Sequence, residues 1–189
     1  MTTGKLFRKK VDISQTKENI FIEKSCANGS GSGGDFHTIN LTEVMNDISD
    51  AITGMSANSG TAIYEGIIRG AQIVSKGKNA RRLIIILSDG DDSGDVYNKT
   101  ADWVHEELNG VDYCGEIRTT LDTQEVDGIP VQSTIAVVGV DYNATSNPNL
   151  QTCAGKGNVF DARNADELYD IIIGLIAEEI GHLHTLPDA

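Results

Sequence analysis

Several things this sequence lacks set its limits. No apolar run approaches the roughly twenty residues a membrane-spanning helix needs, and the opening Met-Thr-Thr-Gly-Lys does not read as a signal sequence. Cations are scarce: 15 Lys and Arg stand against 28 Asp and Glu, for a formal charge of -13 and an isoelectric point near 4.5. That balance repels nucleic acid and anionic membranes, and leaves cations and basic protein surfaces as partners. No Gly-x-Ser-x-Gly, P-loop or dinucleotide fingerprint is present, so an enzyme reading has neither nucleophile nor phosphate cradle to rest on. Cysteine is limited to Cys26, Cys114 and Cys153, with no CxxC pair and spacings too wide for a zinc knuckle. One disulfide plus one leftover thiol suits an exported protein, and three ordinary thiols suit a cytosolic one.

What is present reads as an α/β protein. A chain of 189 residues is large enough to hide about 70% of its unfolded surface and needs no cofactor merely to hold together. Residues 1–40 form an N-terminal segment with a basic start (Lys5, Arg8, Lys9, Lys10) and a flexible Gly/Ser loop from Asn28 to Gly34. From Asn40 or Thr42, a helix is expected with Val44, Ile48, Ile52 and Met55 on one face, ending at Gly54. A second helix begins at Thr61 with Ile63, Ile67, Ala71 and Val74 inward and stops at Lys76-Gly77; its Gly66 and Gly70 permit close packing on a sheet. The unbroken apolar run Leu83–Leu87 reads as a strand covered on both faces. A helix over about 98–108 turns Trp103, Val104 and Leu108 inward, Cys114 leads a short helix, and Asp127-Gly128 marks a turn. Thr134–Val140 is the second buried strand, a polar loop carries Cys153, and Val159-Phe160 is a short edge strand. Asn164 caps a closing helix with Leu168, Ile171, Ile172, Leu175, Ile176 and Ile180 in a wide stripe. Strands alternating with helices specify a mainly parallel sheet flanked by helices on both faces.

Two polar side chains stand where such a sheet binds ligands. Thr61 opens a helix after Gly60, and Asp89 closes a buried strand, so both surface at the carboxyl edge. Hydroxyl and carboxylate oxygens suit Mg²⁺, Mn²⁺ or Ca²⁺; the plainer reading makes Thr61 a helix cap and Asp89 a turn former. Asp89–Asp95 matches the first half of an EF-hand loop, but Thr100 stands where the bidentate Glu belongs. His182 and His184 lie two apart and point to different helix faces, unlike a zinc-protease pair. Sequons at Asn28, Asn40, Asn98 and Asn143 matter only where the source glycosylates exported proteins.

The order Gly-Thr-x-x-x-x-Gly-Ile at Gly60–Ile67, Leu-Ile-Ile-Ile-Leu-Ser-Asp-Gly at Leu83–Gly90 and Val-Gly-Val at Val138–Val140 resembles a von Willebrand factor type A domain. Cys153-Ala154, Val159–Ala162 and the helix from Asp166 to Ile180, with Cys114 ahead, are similar to the C-terminal part of TadG-type pilus-assembly proteins. The resemblance spans roughly 41–181, giving a type A domain over 41–184 and a tail over 185–189. It implies a metal-ion-dependent adhesion site in which Thr61 ligates directly and Asp89 holds the cation through water. The family's Asp-x-Ser-x-Ser after a first strand is missing or degenerate; Asp12-Ile13-Ser14-Gln15-Thr16 imitates its spacing behind Arg8-Lys9-Lys10, where a strongly apolar strand belongs. The resemblance further implies a Cys114–Cys153 disulfide, a non-enzymatic role in pilus assembly or surface adhesion outside the cytoplasm (periplasm or cell surface), with a membrane anchor as an option for the full-length protein, and a protein partner at the metal-site edge. The alternative is an intracellular scaffold or accessory subunit of a metal-handling complex.

Overall fold

Where side chains can alternate between two apolar environments the chain extends, and where they recur every three to four residues it coils. The computed structural model describes residues 11–22, 39–54, 60–96 and 99–181. Cys26, the Gly/Ser run, Met55, Asn98, His182 and His184 lie outside those residues. In chain order come α1 (Ile13–Glu18), α2 (Met45–Thr53), α3 (Ile63–Val74), β1 (Arg81–Ser88), a hairpin of β2 (Asp95–Val96) and β3 (Lys99–Thr100), and α4 (Ala101–Gly110). Then follow α5 (Tyr113–Asp122), a hairpin of β4 (Glu125–Val126) and β5 (Ile129–Pro130), β6 (Gln132–Val140), α6 (Pro148–Ala154), β7 (Val159–Ala162) and α7 (Ala165–Gly181).

The two apolar runs become neighbours. β1, β6 and β7 form a parallel sheet in that order, with Leu83 opposite Thr134, Ser88 opposite Gly139, and Val138 opposite Phe160. Alternation along β6 divides the core: Ile135 and Val137 join Ile67, Leu108, Ile117, Leu121 and Leu150 from α3 to α6, whereas Ala136 and Val138 join Leu175 of α7. The architecture is thus mixed α/β, a three-stranded parallel sheet flanked by helices. The turn at Asp127-Gly128 has φ of 53° and 80°, the doubly left-handed pair that a two-residue hairpin requires.

Capping explains most helix starts. Asp12 accepts the Gln15 N–H at 3.0 Å, so the Asp-x-Ser-x-Thr spacing belongs to the first turn of α1. Ile20 just beyond α1 is 2% exposed in the main core, and its carbonyl accepts from Gln72 Nε2 at 2.6 Å. Asn164 accepts the Glu167 N–H while the Glu167 carboxylate accepts the Arg163 N–H, both at 2.9 Å, a reciprocal lock on the start of α7.

Four expectations need correcting. α2 buries none of its residues: Val44 and Ile52 are exposed and Ile48 is only partly covered. Gly70 does press on the sheet, where a Cβ would stand 3.1 Å from Ile84 Cγ2, but at Gly66 it would meet nothing within 4 Å. Leu87 at the end of β1 is 51% exposed, so that strand is not covered on both faces along its whole length. The segment carrying Cys153 is no simple loop: Asn147 accepts the N–H groups of Asn149 and Leu150, Pro148 sits at the first helical position, and α6 results.

Cys114 in the first turn of α5 and Cys153 near the end of α6 are joined in a disulfide, both buried, with Cα atoms 5.2 Å apart. Arg118 adds a hydrogen bond of 2.6 Å to the Cys153 carbonyl. The bridge closes a separation of 39 residues. Cys153→Ser is expected to lose about 3–4 kcal/mol of unfolding free energy through the released chain entropy, read by urea denaturation of oxidised wild type against the variant.

Candidate functional site

The turn after β1 decides the local geometry. Instead of running into solvent it folds back on the start of α3: the Ser93 N–H donates to the Thr61 carbonyl at 2.8 Å, and the Thr61 N–H donates to Ser93 Oγ at 3.1 Å. Gly60 makes the approach possible, since a Cβ there would lie 2.3 Å from the Ser93 carbonyl oxygen. Asp92 then reaches the helix start and accepts the Ile63 N–H through Oδ1 at 2.5 Å, a negative charge on the positive end of α3.

The same carboxylate continues inward. Its Oδ2 meets His105 Nδ1 at 2.5 Å, and His105 Nε2 meets the Tyr113 hydroxyl at 3.0 Å. A carboxylate only accepts, so Nδ1 carries the proton, and the phenol donating to Nε2 satisfies the chain from end to end. Burial, followed by the charge of Asp92, raises the Tyr113 phenol well above its ordinary value. An acid, an imidazole and a hydroxyl in series resemble a nucleophilic relay, but His105 and Tyr113 are both 0% exposed. The network braces the interior, and of its three groups Asp92 lines the neighbouring cleft.

Nothing in the reading of motifs singled out this network. A signal was available for His105, because Ala101, Val104, His105 and Leu108 follow the i, i+3, i+4, i+7 spacing of one inward helix face. Its partner was not legible, since Asp92 sits in an acidic turn that reads as solvated.

The remaining acids of that turn go elsewhere. Asp91 accepts from the Tyr142 hydroxyl and from Asn147 Nδ2, the latter at 2.7 Å. Asp89 is exposed and has no hydrogen-bond partner among the described residues. Of the acids in the half EF-hand, Asp91 and Asp92 are taken up by separate partners, while Asp89 and Asp95 are exposed without a side-chain partner among the described residues. Beside them opens a cleft of about 610 Å³ whose lining includes Asp91, Asp102, Glu106, Tyr142, Asn143 and Asn149, and neither Lys nor Arg. Burial and then the bond to Asp91 push the Tyr142 phenol up to about 12.

Mg²⁺ demands a near-octahedral set of oxygens. Thr61 and Asp89 offer one side chain each, while Asp91 and Asp92 are engaged as described. Among the described residues no group of three or more His, Cys, Asp and Glu is placed to hold a metal. These residues alone are an incomplete set for Mg²⁺, Mn²⁺ or Ca²⁺.

No family model, no curated protein and no solved structure matches the chain.

Two outcomes test the geometry. Asp92→Ala leaves the Ile63 N–H and the His105 imidazole unpaired in the interior, and is expected to lose about 3–5 kcal/mol in urea unfolding, with Asp92→Asn losing less because its amide oxygen still accepts from Ile63. The raised phenols set an alkaline limit: folding favours the protonated Tyr142, so stability is intact below about pH 10, where a free tyrosine titrates, and falls as pH rises toward about 12. Urea midpoints measured across that window should drop, and less steeply in Tyr142→Phe.

Proposed function

We propose that this chain is a non-enzymatic protein-interaction domain of the von Willebrand factor type A kind, contacting its partner through the carboxyl edge of the sheet. The observation carrying the reading is the contrast at that edge. An exposed, unengaged Asp89 and a cleft lined largely by carboxylates and amides face outward, whereas the imidazole and phenol that Asp92 engages from the cleft wall are buried in the core. Such a surface selects cations, whether a basic protein face or a divalent ion shared with a partner's carboxylate.

The parallel order of β1, β6 and β7 with α3 ahead of β1 supports the type A reading, which rests otherwise on the Gly60–Ile67, Leu83–Gly90 and Val138–Val140 motifs. The Cys114–Cys153 bridge favours an oxidising, extracytoplasmic setting, in keeping with a role in pilus assembly or surface adhesion. No helix among the described residues is long and apolar enough to cross a membrane. In this reading Thr61 and Asp89 are the chain's contribution to a cation site, and the remaining oxygens come from the partner or from polypeptide outside the described residues.

Calorimetric titration separates the two forms of capture. Saturable heat from Mg²⁺ or Mn²⁺ that disappears in Thr61→Ala and Asp89→Ala establishes the cation-bridged form. Without such heat, a short oligolysine peptide should still bind, with affinity falling as salt rises and about tenfold weaker in the Asp102→Asn, Glu106→Gln double variant. Failure of both ligands, or a turnover abolished by Asp89→Ala, overturns the proposal.

A further inference from the structure

The cleft is closed by a ring of contacts, and one member of the ring is covalent. Asp92 in the wall holds His105 of α4, His105 holds Tyr113, and Cys114 follows directly in α5. Cys114 is bonded to Cys153 near the end of α6, and Asn147 at the start of that helix donates to Asp91 at 2.7 Å. The circuit thus returns to the turn from which it set out. Within it, α6 and its capping residue bring Asn147, Pro148 and Asn149 to the cleft lining.

α6 is not a helix that stands by itself. It has seven residues, below the roughly twelve at which a helix begins to persist alone in water, and Leu150 is its one large apolar side chain. Its first turn is held by polar contacts that water can replace: Asn149 Nδ2 donates to Asp102 at 3.1 Å, and the Asn149 carbonyl accepts from Asn109 at 3.0 Å. Its last turn is held by the disulfide and by Arg118 on the Cys153 carbonyl. If α6 swings away, Asp102 and Glu106 of α4 lose the wall that faces them.

We propose that the Cys114–Cys153 bridge is a latch that completes the cleft. The dithiol chain keeps its sheet and α3 to α5 but leaves α6 and the loop ahead of it open to exchange, and oxidation closes them into the cleft wall. The step is a thiol–disulfide exchange with a disulfide donor such as oxidised glutathione. One cysteine thiolate attacks the donor and releases one glutathione, the second displaces the other glutathione from the mixed disulfide, and the two cysteine protons end on the released thiols. Once joined, the cysteines are 2% and 0% exposed, so a reductant reaches the sulfurs only after α6 opens. The cleft is thereby withheld in a reducing compartment and retained in an oxidising one. Its consequence for partner capture rests on the reading of the cleft given above, whereas the latch itself does not.

Hydrogen exchange read by mass spectrometry tests the latch without any ligand, in a Cys26→Ser background so that only one pairing exists. Amides over 142–154 should exchange about tenfold faster or more in the dithiol form and in the Cys114→Ser, Cys153→Ser variant, while 63–74 and 132–140 keep their protection. Oxidised glutathione should restore slow exchange in the dithiol form and not in the variant, which separates the latch from simple misfolding. Unchanged protection over 142–154, an equal loss across all three segments, or no recovery on oxidation overturns the proposal. An oligolysine peptide should bind the dithiol form about tenfold more weakly than the oxidised one. If the oxidised protein fails to bind it, the capture reading falls while the exchange pattern still decides the latch.

Discussion

Three helices and the turn after β1 are tied together through one carboxylate. Asp92 neutralises the first turn of α3, fixes the imidazole of α4, and through it engages the phenol that opens α5. A charge buried to 8% exposure is costly unless it is paired, and here a backbone donor and an imidazole donor give each carboxylate oxygen a partner. The arrangement obliges the turn after β1 to fold back on Gly60 and Thr61, and that fold decides what the edge can present. Two of its acids are consumed by the protein itself, and Asp89 and Asp95 are left facing outward without a side-chain hydrogen-bond partner among the described residues.

Much of the architecture was written in local patterns. Uninterrupted aliphatic runs gave β1 and most of β6, Asp127-Gly128 gave a hairpin turn, and Asn164 with Glu167 marked the start of α7, because each depends on residues a few positions apart. The failures share a different physics. The apolar stripe of α2 is sound as a periodic pattern, yet periodicity does not reveal whether anything lies against it. α6 was masked by polar composition although Asn147-Pro148 carried the start signal. The Asp92–His105 contact joins residues 13 apart across a strand hairpin, beyond any local pattern. At the site, Asp89 was legible as the polar residue just after a strand, whereas Thr61, read as opening or capping the next helix, lies one residue ahead of the actual N-cap Ala62 and makes no cap bond. The cleft was not legible, since Asp102, Glu106 and Asn149 come from two helices brought together only by packing.

The core is lopsided in a way that matters for how the molecule resists perturbation. Between the sheet and α3 to α6 lies a dense cluster braced by a disulfide, while on the other face α7 contributes, among the described residues, Leu175 as its buried side chain, with Leu168 and Ile171 partly covered. Charge repulsion at -13 acts on both faces, but only one has the packing to absorb it comfortably.

The parallel pairing of β1 with β6 has a kinetic side. Arg81 lies opposite Gln132, 51 positions later, with β2 to β5, α4 and α5 strung between them. Helices and two-residue hairpins close quickly from nearby residues, whereas this sheet must wait for a long intervening loop to be drawn in. During that interval the aliphatic centre of β1 lacks its strand partner β6. The contact order of a single strand pair thus makes the nascent chain most vulnerable to aggregation at its most aliphatic segment.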